Sequence, residues 1–215
     1  MHLIYARRLL TLCFLLAMTT RVTADSRPDL SSPKKAATAF AIGLQAGDLE
    51  QVKASSIGEA SDYKLMQTVT STMSSVHKLH EAAVSRFGPD EAKKLSTGVS
   101  DNGDVARQIE MSDEKLDGDT ATIIEKGKPE TNAVHLKKVA GDWKVDLTNF
   151  PQKQTMQQNV PMLDAMRTVM LQGALDVSAG HYKNVDEAAT EVRQRMVTLM
   201  AAVARQQIPQ TAPTK

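Results

Sequence analysis

The stretch 137–147, "KKVAGDWKVDL", carries the only tryptophan of the chain. Ala140-Gly141-Asp142 has the composition of a tight turn. After it the residues alternate: Trp143, Val145 and Leu147 point one way, Lys144 and Asp146 the other. A period of two marks a half-buried strand. The neighbours Trp143 and Lys144 therefore face opposite sides and are not placed to stack as a cation–π pair.

The same pattern extends outward. "LDGD" at 116–119 is a hairpin turn, because Asp-Gly readily adopts positive φ angles. "TATIIEKG" after it reads as a strand and "KPET" as a second turn. Val134 and Leu136 then alternate with His135 and Lys137. Upstream, Val105, Ile109 and Met111 fall on alternate positions, interrupted by Arg107, and read as the first strand of the set. Four strands joined by short turns predict an antiparallel meander with one face in water. Its apolar face needs a cover, and the longest helical pattern, 60–87, is the expected roof.

That pattern places Leu65, Val69, Met73, Val76, His80, Ala83, Val84 and Phe87 at helical spacing, and Gly88-Pro89 ends it. Before it, "SPKKAATAFAIGLQAGD" carries helix signals from end to end. Ser32 can cap, Pro33 suits the first position, and Gly47 suits a left-handed exit. Asp48 and Gln51 open a second short helix. After Phe150-Pro151 the helical period returns, with Met162, Met166, Val169, Met170 and Val177 on one stripe. Asn184 and Glu187 resemble a capping box for a last helix through Val203. The fold class expected is α+β: N-terminal helices packed on a four-stranded antiparallel meander, plus a C-terminal helical hairpin.

Arg7-Arg8, the apolar run Leu9–Met18 and the small residues Val22-Thr23-Ala24 match a secretory signal peptide over 1–24. Cleavage there leaves 191 of the 215 residues and removes the single Cys13. An exported chain without disulfides relies on its core for stability. It also loses three of 26 bases and no acids, so 23 bases face 25 acids. That balance lacks the basic footprint of a nucleic-acid binder. No further stretch approaches a membrane span. The organisation expected is signal 1–24, polar leader 25–31, α+β domain 32–150, helical extension 151–206 and tail 207–215.

"SPKKAATAFAIGLQAGDLEQV" and "GDTATIIEKG…HLKKVAGDWKVDL" together resemble exported proteins of the nuclear transport factor 2-like, cystatin-like superfamily. The likeness covers roughly residues 32–148 and rests on turn chemistry and patterning. It implies a cone, in which a curved antiparallel sheet wraps a long helix and leaves a pocket at the wide end. It also implies either a cofactor-free isomerase or dehydratase of small hydrophobic molecules, or a protein with no catalysis. The added C-terminal helices depart from that pattern and could lid or fill the pocket.

Candidate site residues are few. "HKLHE" puts His77 and His80 on one helix face at metal-ligand spacing, with Glu81 beside them, although a further protein ligand would have to come from elsewhere. The alternative for His80, which lies on the apolar stripe, is a buried histidine hydrogen-bonded under the sheet. For acid/base work in an apolar pocket the nominees are Tyr63, His80, His135 and Asp62. No nucleophile elbow and no phosphate loop occurs. Methionines at 156, 162, 166, 170, 196 and 200 suit either a helix core or an adaptable partner surface. The functional expectation is an exported, non-catalytic binding or scaffold module, without cofactor or resident metal, taking a small apolar ligand or a protein partner. The alternatives are the isomerase- or dehydratase-like enzyme and partner binding through the Met-rich helices.

Overall fold

The computed structural model describes residues 27–95, 102–151 and 153–207. The expected signal segment and the tail beyond 207 lie outside them. Helix α1 spans Pro33–Ala46, with Ser32 accepting from the Lys35 N–H and Gly47 closing it at φ 69°. Helix α2, Leu49–Ala54, is capped by Asp48, which accepts from the Gln51 N–H. Strand β1 is only Ser56–Ile57. The long helix α3 runs Ala60–Phe87 and opens on a reciprocal Glu59–Asp62 capping box. A short turn of helix, α4, covers Pro89–Ala92.

The next element corrects the sequence reading. Residues expected as a first strand form helix α5, Asn102–Met111. Val105 and Ile109 are four apart, which fits one face of a helix as well as alternate sites of a strand. Ile109 packs against the main core, whereas Met111 stays 55% exposed. Arg107 pairs with Asp104 three residues back, and Ser112 Oγ donates to the Gln108 carbonyl to close the last turn.

The first strand of the meander is instead β2, Asp113–Asp117, with every residue exposed. It carries no hydrophobic signal because it is an edge, and charged edge strands resist unwanted pairing. Strands β3 (Thr120–Ile124), β4 (Val134–Val139) and β5 (Asp142–Asp146) complete the antiparallel run. The sheet is five-stranded and mixed, in the order β1-β5-β4-β3-β2, because β1 pairs in parallel with β5. Beside β1 on the same edge, the Trp143 N–H donates to the Leu30 carbonyl at 2.9 Å. Leu30, expected in a polar leader, is buried in the core.

Ala121, Ile123, Leu136, Trp143 and Val145 form the covered face, and Leu147 follows them into the same core. Each such side chain contributes about 1.5–3 kcal/mol on burial. The cover is α1, through Ala36, Ala37 and Phe40, and not α3. Helix α3 enters this core only with its first turns, through Leu65 and Met66. Phe40 also meets Phe150 edge-on, with ring centroids 5.5 Å apart. The indole of Trp143 is 6% exposed, and its cation lies across the sheet: Lys138 Nζ sits 5.9 Å from the ring centroid. Lys138 is the β4 residue directly opposite Trp143.

After a short helix α6, Lys153–Gln158, the chain forms α7, Val160–Ser178, and α8, Val185–Gln207. These are not an appendage. Helix α7 lies along α3, the most extensive helix–helix contact of the fold. Leu79 of α3, Val169, Ala174 and Val177 of α7, and Ala188 and Val192 of α8 make a second core. The approach requires Gly173, where a Cβ would sit 3.0 Å from a Val192 methyl and 3.4 Å from Leu79. The middle of α3 is buried yet hydroxylic. Thr70 and Thr72 bond back to the carbonyls of Met66 and Thr68, and Thr72 also donates to the Leu163 carbonyl of α7.

The β4–β5 turn holds Ala140 at φ 53° and Gly141 at φ 95°. Both values suit a two-residue hairpin loop, but a Cβ in that region costs about 1 kcal/mol. Ala140→Gly is expected to raise stability by about 0.5–1 kcal/mol, read as an upward shift of the thermal midpoint. A lower midpoint would contradict this account of the turn.

Candidate functional site

The nominated residues do not converge. Tyr63 donates its hydroxyl to the Ser56 carbonyl at 3.2 Å, which ties α3 to β1. His80 lies 17 residues further along the same helix, about 25 Å away at 1.5 Å per residue. The two do not form an acid/base pair. His77 places Nε2 at 2.5 Å from the Gln45 carbonyl near the end of α1. Glu81 is exposed and lines a groove between α3 and α7 with Lys78, Leu171 and Leu175. Among the described residues, no three His, Cys, Asp or Glu side chains are grouped to hold a metal. Asp62 is buried by its own helix cap: one oxygen accepts from the Glu59 N–H and the other meets Lys153 Nζ at 2.5 Å. Its role is to join α3 to α6.

His135 is exposed on the outer face of the sheet. Its Nδ1 lies 3.4 Å from Thr122 Oγ1 in a shallow polar groove with Lys137, Asp146 and Asn149. Asp146 is the fixed point there. It meets Lys137 Nζ at 2.8 Å and accepts from Thr148 N–H, Thr148 Oγ1 and Asn149 Nδ2. Burial opposes its ionisation, but the bonds from Lys137, Thr148 and Asn149 outweigh that and hold its carboxyl at about 2. These bonds shape the 3₁₀ turn Leu147–Asn149, so Asp146 has a structural task.

A third buried carboxylate, Asp176, locks α7 to α8. It meets Arg195 Nη1 at 2.6 Å and accepts from Gln172 and from the Tyr182 hydroxyl. Desolvation works against its charge, and the bonds from Arg195 and Gln172 prevail, leaving the carboxyl below the usual aspartate range. Arg195 is itself held by Glu191 at 2.9 Å.

A cavity of about 770 Å³ lies elsewhere. It is a groove between the entering segment 27–29, α1 and α5. Ala39, Ile42, Ala106 and Met111 line its apolar part, and Thr38 and Gln51 add polar atoms. Gln51 is fixed by its amide, which donates to the Ala39 carbonyl at 2.7 Å. The rim carries Arg27, Lys34, Lys35 and Arg107 together with Asp29 and Glu110. Lys34 Nζ donates to the Glu110 carbonyl at 2.6 Å and so staples α1 to α5. The volume falls in the range of small-molecule pockets. Sequence reading missed this site because it depends on α5 being a helix. The one available signal was Val105 to Ile109, a spacing of four.

Comparison of the chain with protein-family models, with curated proteins and with solved structures finds no match in any of the three. Among the described residues, no helix is long and apolar enough to cross a membrane.

Asp146 gives a pH prediction. Its folded pKa lies below the unfolded value, so its stabilisation is present above about pH 4 and is lost as pH falls towards about 2. The shift corresponds to roughly 2 kcal/mol. Asp146→Asn is expected to flatten the acid limb of urea midpoints over that window and to lower the midpoint at neutral pH. An unchanged acid limb would show that the carboxylate does not carry it.

Proposed function

We propose that this protein is an exported, non-catalytic binding module that holds a small apolar ligand in the groove between α1 and α5. The observation that carries the reading is the groove itself: a cavity of about 770 Å³ whose walls include Ala39, Ile42, Ala106 and Met111. Met111 is exposed at its edge, and a flexible thioether there can adapt to ligand shape. Export is read from the N-terminal pattern of basic, apolar and small residues.

The likeness to the cone superfamily draws support from the order of parts alone, since α1 and not the long helix α3 covers the sheet. A Pro-initiated helix, a Gly-Asp step and a second helix precede a sheet that ends in the expected hairpins. The lid question raised by the C-terminal helices does not touch this groove, since α7 and α8 pack on α3. The enzyme alternative draws no support from Tyr63 and His80, which line none of the four cavities described. Partner binding through methionine is weakened by packing. Met170 and Met196 lie against the second core and Met156 against the first, while Met200 stays 43% exposed.

The reading is tested with the neutral apolar dye N-phenylnaphthylamine, whose fluorescence rises on leaving water. The protein should bind it saturably. Thr38→Trp, which fills the groove, should weaken binding about tenfold or more, since about 1.4 kcal/mol is one decade. Undiminished binding by a folded Thr38→Trp protein would remove the groove from the account.

A further inference from the structure

We infer that the groove between α1 and α5 selects an anionic amphiphile, a hydrocarbon chain ending in one carboxylate or phosphate group. This rests on the reading of the groove as a ligand site and adds the chemistry of the ligand's head.

The first argument is the state of the rim cations. Lys35 is neutralised by Asp29 at 2.8 Å, and Arg107 by Asp104 at 3.1 Å. Hydrogen bonds from Lys35 and Ser31 hold the Asp29 carboxyl well below the usual range. Lys34 is different: its ammonium contacts a backbone carbonyl, a neutral acceptor. Among the described residues, neither Lys34 nor Arg27 has a carboxylate within ion-pair distance, although both line the cavity. An ammonium retains two further N–H bonds to offer, and a guanidinium can grip a carboxylate or phosphate with two parallel bonds.

The second argument is where Lys34 sits. Lys34 and Lys35 occupy the first turn of α1, which contains no acid. The helix dipole is positive at that end and favours anions, so Lys34, which lacks a carboxylate partner among the described residues, runs against local stability there. Positions that break a local rule while the rest of the chain obeys it are where binding functions are found. A bound anion reverses the sign, because it meets the lysine charge and the helix end together. The lining holds four cations, Arg27, Lys34, Lys35 and Arg107, against two carboxylates, Asp29 and Glu110. The whole chain has 26 bases and 25 acids, so the rim does not simply mirror a basic protein.

The third argument is the apolar part of the lining. Ala39, Ile42, Ala106 and Met111 offer no charge to the far end of a ligand. A charged rim over an apolar floor suits a molecule with one anionic end and one hydrocarbon end.

The experiment displaces the bound dye with three decyl compounds below their micelle concentrations: decanoate, decanol and decyltrimethylammonium. Decanoate is expected to compete at about tenfold lower concentration than decanol, and the cation at a higher concentration than either. Lys34→Gln and, separately, Arg27→Gln should erase the decanoate preference and leave decanol unchanged. Arg27 has no described bond to α5, so its variant stays informative even if Lys34→Gln loosens the staple. Sedimentation with phosphatidylglycerol vesicles separates the two sources of such an anion. Co-sedimentation assigns a membrane lipid, and competition by decanoate without it assigns a soluble amphiphile. Equal competition by decanoate and decanol overturns this inference and leaves the groove as an apolar site. Failure of the dye to bind at all overturns both.

Discussion

One unbroken helix serves two hydrophobic cores, and the architecture follows from that constraint. Helix α3 gives Leu65 and Met66 to the core under the sheet and Leu79 to the core among the helices. Between them it runs through Thr70, Thr72 and Ser75, all buried, whose hydroxyls bond to carbonyls of the preceding turns. Small side chains there let α7 come close, and satisfied hydroxyls avoid the cost of burying polar groups dry. Because α3 is committed along its whole length, the sheet must find another roof, and α1 supplies it. The position of α1 then places its outer side beside α5, which is what makes the groove.

The buried carboxylates fit the same logic. Asp62, Asp146 and Asp176 each stand where an element must be held at a fixed angle: the start of α3, the exit of β5 and the α7–α8 joint. Each has a cationic partner and further donors, the condition under which a buried charge is tolerated. Titratable groups in the interior thus serve attachment. The groove, by contrast, carries its charges on a wet rim where they can meet a ligand at little desolvation cost.

Much of the fold is legible in single residues. Ser32, Gly47, Asp48, Gly88 and Asn184 each mark a helix end, because capping depends on the chemistry of one side chain or one φ angle. The row Trp143, Val145 and Leu147 reads as buried because alternation acts over neighbours in sequence. The site is less legible. His77, His80, Glu81 and Tyr63 look chemical by residue type, but their surroundings decide their roles: a carbonyl on α1 takes up His77, and a carbonyl on β1 takes up Tyr63. The surroundings of the lysines in "SPKKAA" are not legible either, because the field of a helix end and a facing α5 are invisible in a linear pattern.

The sequence by itself determined the ends of α1, α2 and α3, the hairpin turns and which side of β5 is apolar, since capping, positive φ and alternation are short-range effects. Tertiary structure alone decided that 102–111 is helical, that five exposed residues form β2, that Ser56–Ile57 joins the sheet in parallel, and that α1 covers it. An exposed edge strand has no apolar signature, and a stretch with two apolar residues four apart fits either period. What resolves both is the partner that each surface meets, and partners are set by the packing of the whole chain.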